Sequence, residues 1–416
     1  MTTTAPPALP RDQRRFDVVV YGAASFVGKI LTRHLQQRHG ENGALRWAIA
    51  GRNAAKLEEV KRELGLVSLP VLLADAADAA ALREMVAQTR VVVSTVGPYA
   101  LYGDALVAAC AELGTDYCDL TGEVPWMQRM ISAHAATAQR SGARIVHTCG
   151  FDSIPSDMGV WHLQREAQQR FAQPCVQVRG GMKAASGGLS GGTVASLLNV
   201  LREAEADPSV RALLKNPYSL SPVPGNVRQH EVMGPEFDAA LGQWRTPFIM
   251  AGINSRVVLR SHALAGQPWG ADFRYDESML AGKGLKGRAT AYGVALATGG
   301  LFVLLANART RPLTARLLLP APGNGPSPKA QENGFFDFRF HGYTRDQRTL
   351  QVKVTGDRDP GYGSTGKMLG EAAVCLAQDI SAEQVPGGFW TPSTALGEAL
   401  LTRLQAHAGL RFSVVE

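Results

Sequence analysis

The sequence contains few cysteines and none of the spacings that would give them a shared function. Five cysteines are scattered over 416 residues, at positions 110, 118, 149, 175 and 375. No two of them form a Cys-x-x-Cys pair, and none shows metal-ligand spacing, so we predict no metal site. An odd, sparse set is typical of a reducing compartment, and we therefore expect a cytoplasmic protein.

The chain also lacks a concentrated block of positive charge. Its net charge is +7, and its lysines and arginines are dispersed without aromatic residues between them, which argues against a nucleic-acid partner. A mildly basic surface favours acidic substrates or an anionic membrane. The Thr-, Ala- and Pro-rich start has no basic segment followed by an apolar run, so residues 1–13 are predicted to be a disordered N-terminus rather than a signal peptide.

A glycine turn follows the first apolar run. Residues 16–21 are mainly apolar and precede Gly22-Ala-Ala-Ser-Phe-Val-Gly28, after which residues 29–35 have helical apolar spacing. A strand, a tight turn and a helix N-terminus bind the pyrophosphate of a dinucleotide, because backbone N–H groups and the helix dipole face the anion. Ser25 stands where many such turns carry a glycine, and a ligand-free turn is the alternative. The predicted pyrophosphate contacts are Gly22, Ala23, Ala24, Ser25, Phe26, Val27 and Gly28.

A second predicted strand ends in Gly51-Arg52-Asn53. NAD-binding units usually place Asp or Glu here, whereas an arginine pairs with the 2′-phosphate of NADP. Arg52 and Asn53 therefore predict NADP(H). The alternative for Arg52 is a solvated charge at a helix start.

Two further strand ends complete the predicted cofactor site. Asp75 follows a third strand and suits the adenine amino group, or alternatively caps the helix at 79–87. A fourth strand runs into a Gly-Pro turn, and its end should lie by the ribose and nicotinamide. The residues predicted there are Thr95, Val96, Gly97 and Pro98.

The second half of the chain has a different pattern. Residues 175–179 predict a strand, followed by a glycine-rich loop at 180–193 that ends with Thr193 as a helix N-cap. Residues 335–342 and 349–355 alternate and predict an antiparallel pair within a mixed sheet. Residues 289–306 carry no charge. They predict a buried helix or, alternatively, a helix that meets a membrane or an acyl chain.

The fold class predicted from this order is α/β: a Rossmann-type, doubly wound parallel sheet, a second mixed α/β domain, and C-terminal helices that pack back on the first. The predicted domains are an NADP-binding domain at 14–155, a substrate or dimerisation domain at 156–357, and returning helices at 358–416.

Five motifs together resemble the saccharopine dehydrogenase-like oxidoreductases, and more closely their trans-acting enoyl reductases of mycobacterial glycolipid synthesis. The motifs are Val20-Tyr-Gly-Ala-Ala-Ser-Phe-Val-Gly28, Ala50-Gly-Arg52, Val96-Gly-Pro-Tyr99, Tyr117-Cys-Asp-Leu-Thr-Gly-Glu123 and Gly150-Phe-Asp-Ser-Ile-Pro-Ser-Asp157. The resemblance extends from about residue 14 to the C-terminus. It implies an NADP-binding domain built jointly by N- and C-terminal segments, and a role in lipid metabolism.

The resemblance implies NADPH-dependent reduction of a carbon–carbon double bond in an acyl or polyketide thioester or a lipid-linked substrate. An amino-acid or imine oxidoreductase and a non-catalytic, nucleotide-binding membrane scaffold stay open as alternatives. A homodimer and a peripheral contact at the inner face of the plasma membrane also stay open. The short-chain reductase pattern Tyr-x-x-x-Lys is absent at Tyr99 and Tyr102. We take Tyr99 as the catalytic proton donor, chosen from a group that also includes Tyr117, Cys149, Asp152 and Ser153.

Overall fold

The computed structural model describes residues 10–187, 191–318 and 325–416. The chain divides into two compact units. The first comprises Met1–Thr121, Trp126–Gly150 and Thr365–Arg403, and the second comprises Gly122–Pro125, Phe151–Ser364 and Leu404–Glu416. Most of the N-terminus predicted to be disordered, residues 1–9, lies outside the described residues, and Arg11–Gln13 form a short 3-10 turn.

The strands fall into two sheets. In chain order they are β1 (Phe16–Tyr21), β2 (Trp47–Gly51), β3 (Val71–Leu73), β4 (Thr89–Ser94), β5 (Asp116–Asp119), β6 (Arg144–Val146), β7 (Cys175–Ser186), β8 (Glu236–Asp238), β9 (Gln243–Thr246), β10 (Arg274–Gly282), β11 (Phe335–Thr344), β12 (Thr349–Gly356), β13 (Gly388–Trp390) and β14 (Leu410–Val414).

The helices alternate with strands most regularly in the first 150 residues. They are α1 (Phe26–His39), α2 (Ala54–Leu64), α3 (Ala79–Ala87), α4 (Tyr99–Tyr102), α5 (Asp104–Leu113), α6 (Val124–Ser141), α7 (Ile154–Phe171), α8 (Gly191–Ala206), α9 (Pro208–Lys215), α10 (Ala251–Leu264), α11 (Gly284–Ala306), α12 (Arg311–Leu318), α13 (Pro328–Glu332), α14 (Thr365–Gln378) and α15 (Pro392–His407).

The first sheet has seven parallel strands in the order β13-β6-β5-β4-β1-β2-β3. The central β1 is buried along its whole length, as a strand covered on both faces must be. The strand order reverses between β1 and β4, and ligands of such sheets bind beyond the carboxyl ends at this reversal. The predicted fold class, a Rossmann-type parallel sheet, is confirmed.

Buried charges join distant segments in the first unit. Asp116, at the start of β5, accepts hydrogen bonds from Arg11 at 2.7 Å and from the backbone of Arg144 at 2.8 Å. The Arg144 guanidinium also donates to the carbonyl of Leu376 on α14. Glu371 of α14 pairs with His34 of α1 at 2.8 Å and with Arg403 of α15 at 3.1 Å. The C-terminal helices therefore complete the first unit, as the resemblance implied.

The second sheet is mixed, in the order β14-β12-β11-β7-β10-β9-β8, and it contains the predicted antiparallel pair as β11 and β12. The predicted loop beginning at residue 180 is wrong, because β7 continues to Ser186. Gly181 is needed in this strand for packing: a Cβ atom there would lie 2.6 Å from Leu280 of the neighbouring β10. Residues 188–190 lie outside the described part.

Two other predictions about the second unit are corrected. Helix α8 begins at Gly191, so Thr193 lies within the helix and is not its N-cap. The segment 358–416 does not return wholly to the first unit, because β14 pairs with β12 in the second sheet. Alternating side chains in Leu410–Val414 fit the edge of that sheet, a signal hidden behind the amphipathic helix that precedes it.

A carboxyl group in the core of the second unit has no cationic partner among the described residues. Glu277 of β10 accepts hydrogen bonds from the Tyr275 hydroxyl and, at 2.8 Å, from the Asn254 amide. Burial raises the pKa of Glu277 from 4.5 to about 7. The folded protein therefore holds a proton here over a pH range in which the unfolded chain has released it.

We expect Glu277 to make the wild-type protein less stable as pH rises from about 4.5 to about 7, by up to about 3 kcal/mol. Replacing Glu277 with Gln should remove this part of the pH dependence, since the amide does not titrate. Urea unfolding of both proteins across this range measures the difference. Glu231→Gln, at an exposed position, is the control, and a parallel pH dependence in Glu277→Gln and wild type would contradict the assignment.

Candidate functional site

The turn between β1 and α1 lies against the end of β4. Gly22 has a left-handed backbone (φ +88°), and a Cβ atom there would lie 2.6 Å from Val96 and 2.8 Å from the Thr95 hydroxyl. The Thr95 hydroxyl donates to the carbonyl of Gly22 at 2.9 Å. Only glycine satisfies both the conformation and the contact. The structure thus brings together the predicted residues from the first and fourth strands.

Ser25 fixes the start of α1. Its hydroxyl oxygen accepts a hydrogen bond from the Gly28 amide at 2.9 Å and lies 2.9 Å from the Thr95 hydroxyl. The residue that departs from the glycine pattern is therefore a helix N-cap that also joins the turn to β4. The amides of Ala24 and Val27 have no acceptor among the described residues. These amides, at a helix N-terminus, are available to an anion.

Arg52 directly follows the carboxyl end of β2, the strand next to β1 in the sheet. Its side chain is exposed and has no hydrogen-bond or ion-pair partner in the part of the chain that the structure describes. Burial and the Asp75 carboxylate raise the pKa of Tyr21 to about 12, and Arg52 opposes this shift. Arg52 and Asp75 are therefore both electrostatic neighbours of Tyr21, the last residue of β1.

Two polar residues near Arg52 have local structural contacts. Asn53 is the N-cap of α2, with its side-chain oxygen accepting from the Lys56 amide at 3.0 Å. Asp75 accepts from the Ala77 amide at 2.9 Å. The alternative of Asp75 as cap of α3 is wrong, because Asp78 fills that position. Each of these hydrogen bonds uses one side-chain oxygen, and Asn53 and Asp75 both remain predicted cofactor contacts.

Tyr99, the predicted proton donor, is buried with its hydroxyl engaged. The hydroxyl donates to the carbonyl of Ser94 at 3.0 Å and accepts from the amide of Leu120 at 3.3 Å. Its ring lies 5.3 Å from that of Trp126. These contacts join the ends of β4 and β5. The structure gives Tyr99 a positioning role, while its role as an acid stays a prediction.

Of the other four candidate donors, two are buried in the first unit and two belong to the second unit. Tyr117 and Cys149 are fully buried in the first unit, and burial raises the pKa of Tyr117 well above 10. Asp152 and Ser153 belong to the second unit. The Ser153 hydroxyl donates to the Asn254 side chain at 3.1 Å.

Sequence reasoning missed a histidine at the carboxyl end of β6. His147 Nδ1 lies 2.7 Å from the Asp119 carboxylate at the end of β5. Its Nε2 is buried and has no hydrogen-bond partner among the described residues, and the Tyr117, Trp126 and Phe389 rings surround it. The signal was a polar residue at the end of one strand, Asp119, and another directly after a second strand, His147. The two can be recognised as a pair only once β5 and β6 are known to be neighbours.

Comparison with known proteins also indicates a dinucleotide-binding domain in this part of the chain. Residues 18–146 match the family model described as the saccharopine dehydrogenase NADP binding domain. A protein of Mycobacterium tuberculosis (strain H37Rv), named among the trans-acting enoyl reductases, is 39% identical over 409 residues, covering 94% of this chain and 96% of its own. A trans-acting enoyl reductase of Mycobacterium ulcerans is 37% identical over 410 residues, with the same coverage.

The chain belongs to the saccharopine dehydrogenase-like oxidoreductases, in the trans-acting enoyl reductase branch. The resemblance seen in the sequence is confirmed. Apo saccharopine dehydrogenase (L-Glu forming) from Saccharomyces cerevisiae shares the fold, with a TM-score of 0.53 and 12% identity over 96% of this chain and 99% of its own.

The cofactor of this oxidoreductase is NADP(H), and its residues fit that cofactor. Glycine at position 22 lets the turn approach the end of β4, because a Cβ atom there would lie 2.6 Å from Val96. The amides of Ala24 and Val27, which have no acceptor among the described residues, lie at the start of α1, where helix N-termini bind phosphates. Arg52 supplies an unpaired guanidinium at the strand end where dinucleotide-binding units distinguish a 2′-phosphate from a hydroxyl.

Replacing Arg52 with Ala should weaken NADPH binding about tenfold or more and leave NADH binding nearly unchanged, because charge-assisted hydrogen bonds to the 2′-phosphate are lost. Titration followed by nicotinamide fluorescence measures both affinities. Arg62→Ala makes the same charge change at an exposed position near the far end of α2, and it should affect neither nucleotide. Equal weakening of both nucleotides by Arg52→Ala would show that Arg52 does not read the 2′-phosphate.

Replacing Tyr99 with Phe should lower the free energy of unfolding by about 1 kcal/mol, since a buried hydrogen-bonded hydroxyl is removed. Chemical denaturation measures that change, and titration should show that NADPH affinity persists. Steady-state kinetics then decides the role of the hydroxyl, because a change in turnover of only a few-fold would mean that Tyr99 acts by positioning alone. A hundredfold loss of kcat at unchanged stability is the signature of a lost general acid, and it would instead make Tyr99 the proton donor.

Proposed function

We propose that this protein reduces a carbon–carbon double bond conjugated to an acyl thioester, in an acyl, polyketide or lipid-linked substrate. The observation that carries the proposal is 36–39% identity to trans-acting enoyl reductases over 94% of the chain. Identity spread over both units extends the likeness beyond the cofactor domain. The coarser statement, an NADPH-dependent oxidoreductase, holds independently of the substrate.

The reaction divides into a hydride step and a proton step. NADPH supplies the hydride when bound. The electron pair of the double bond then moves toward the thioester carbonyl, and the neighbouring carbon takes a proton. The chain's part is to hold the nucleotide at the β1–β4 reversal and to favour NADPH over the unphosphorylated cofactor through Arg52. The hydrogen bonds of Tyr99 keep the ends of β4 and β5 in place beside that position.

An amino-acid or imine oxidoreductase is the second candidate. The sequence shows no cluster of Arg and Lys that would clamp a dicarboxylic amino acid, and the likeness to the yeast saccharopine dehydrogenase is one of fold. We therefore rank this candidate below the enoyl reductase.

We expect the purified protein to oxidise NADPH with enoyl thioesters and to give the saturated acyl product. NADPH carrying deuterium at the transferred position should label that product with a single deuterium, detected by mass spectrometry. Turnover with a keto acid plus an amine, and none with any enoyl thioester, would favour the imine oxidoreductase. Tight NADPH binding without turnover of either class would favour the scaffold.

A further inference from the structure

Helix α11 presents several large apolar side chains to the outside and buries few of its residues. Leu285 is 83% exposed, Leu296 79% and Val303 70%. The buried residues of this helix are Gly287, Ala291 and Leu305. A helix on a water-exposed surface normally has the reverse arrangement, with its apolar face toward the core.

The exposed residues form one continuous stripe. An α-helix turns about 100° per residue, so Leu285, Tyr292, Leu296 and Val303 lie within about 40° of one another. Gly287, Ala291 and Leu305 lie on the opposite side. At about 1.5 Å per residue the stripe is about 27 Å long. Leu313, Leu317 and Leu318 of α12 are also exposed. We call these seven residues the outer apolar surface.

Contacts at both ends hold α11 on the second unit. The Thr246 hydroxyl of β9 donates to the carbonyl of Ala291 at 3.0 Å. At the other end, Arg311 donates to the carbonyl of Leu305 and to the Glu205 carboxylate of α8, each at 2.7 Å. The inner side of the helix is thus already occupied, and the stripe is what remains for a partner.

The chain path excludes a single membrane crossing. Helix α11 is long and apolar enough to cross a bilayer, but it follows β10 and precedes β11, which belong to one sheet. A crossing would need a second apolar helix to return. Between α11 and β11 the sequence has five prolines, at 312, 320, 322, 326 and 328, and proline interrupts helices. The surface can enter one leaflet only.

The charge around the surface identifies the partner. No Asp or Glu occurs between Glu277 and Glu332. The basic residues of this interval are Lys283, Lys286, Arg288, Arg309, Arg311, Arg316 and Lys329. A second copy of the chain would bring the same positive charges to a symmetric contact and be repelled. Anionic lipid headgroups supply the opposite charge around an apolar interior.

The geometry points to an anionic lipid bilayer as the partner of the outer apolar surface. The stripe enters the boundary between headgroups and acyl chains, and the lysines and arginines of this interval other than Arg311, which is buried and paired with Glu205, contact lipid phosphates. This membrane contact goes beyond the proposed reduction, and NADPH oxidation with a soluble thioester does not require it.

The test uses the whole protein and vesicles of phosphatidylcholine, with or without phosphatidylglycerol. We expect flotation with the anionic vesicles only, decreasing as salt is raised. The double variant Leu296→Glu with Val303→Glu should lower the partition about tenfold or more, because it places charge in the apolar boundary. Val67→Glu, at a residue 84% exposed in the first unit, is the matched control and should bind as wild type does.

A fluorescent label on the stripe gives a second readout. All five native cysteines are buried, so Leu296→Cys provides an accessible thiol for an environment-sensitive dye. Its emission should shift to the blue with anionic vesicles and not with rising protein concentration. The dye on Val67→Cys should not shift. Retained NADPH binding shows that the first unit of each variant is folded, and a urea unfolding curve like that of the wild type shows the same for the whole chain.

Three outcomes would overturn the proposal: no flotation with anionic vesicles, flotation that the double variant leaves unchanged, or a dye shift that follows protein concentration without lipid. The last would make a second copy of the chain the partner. Each is distinguishable from failure of the proposed reduction, which is measured with soluble thioesters.

Discussion

The absence of a side chain at Gly22 is the constraint on which the cofactor site depends. Strand β1 lies at the reversal of the sheet, and its turn must pass within contact distance of Thr95 and Val96 at the end of β4. That approach lets Thr95 hydrogen-bond to the turn and lets Ser25 cap α1. The amides of Ala24 and Val27 at the start of this helix, at the reversal of the sheet, have no acceptor among the described residues. A Cβ atom at Gly22 would displace all of these at once.

Buried carboxylates are stabilised in two different ways, and the second unit contains both, since its Asp238 is paired with Arg245. Asp116 and Glu371 are surrounded by arginines and a histidine from other segments, so that their charge is paired. Among the described residues the hydrogen-bond donors to Glu277 are neutral, and this carboxyl group avoids a buried charge by keeping its proton. In low dielectric surroundings a carboxylate must be paired or neutralised. The ion pairs of Asp116 and Glu371 connect the C-terminal helices to the rest of the nucleotide-binding unit. The protonated Glu277 is instead a titratable group in the core of the second unit.

Helix α11 shows that composition does not decide burial. The sequence of its uncharged segment is equally compatible with a core helix and with a lipid-facing helix, because both kinds of helix are apolar all round. In the structure Leu285, Leu296 and Val303 face outward, whereas Gly287, Ala291 and Leu305 are the buried residues of the helix. The small Ala291 lies against Thr246 of β9, and the large exposed side chains are those for which we propose a lipid partner.

The sequence by itself determined the local structure of the first unit. The glycine turn, the arginine after β2 and the alternation of strands and helices are short-range patterns, and they predicted the parallel sheet and NADP(H). The continuation of β7 through Gly181, the return of β14 to the second sheet, the Asp119–His147 pair and the engaged hydroxyl of Tyr99 were decided by the tertiary structure alone. Each depends on which segments become neighbours, and pairing between residues far apart in the chain is set by packing that no local pattern encodes.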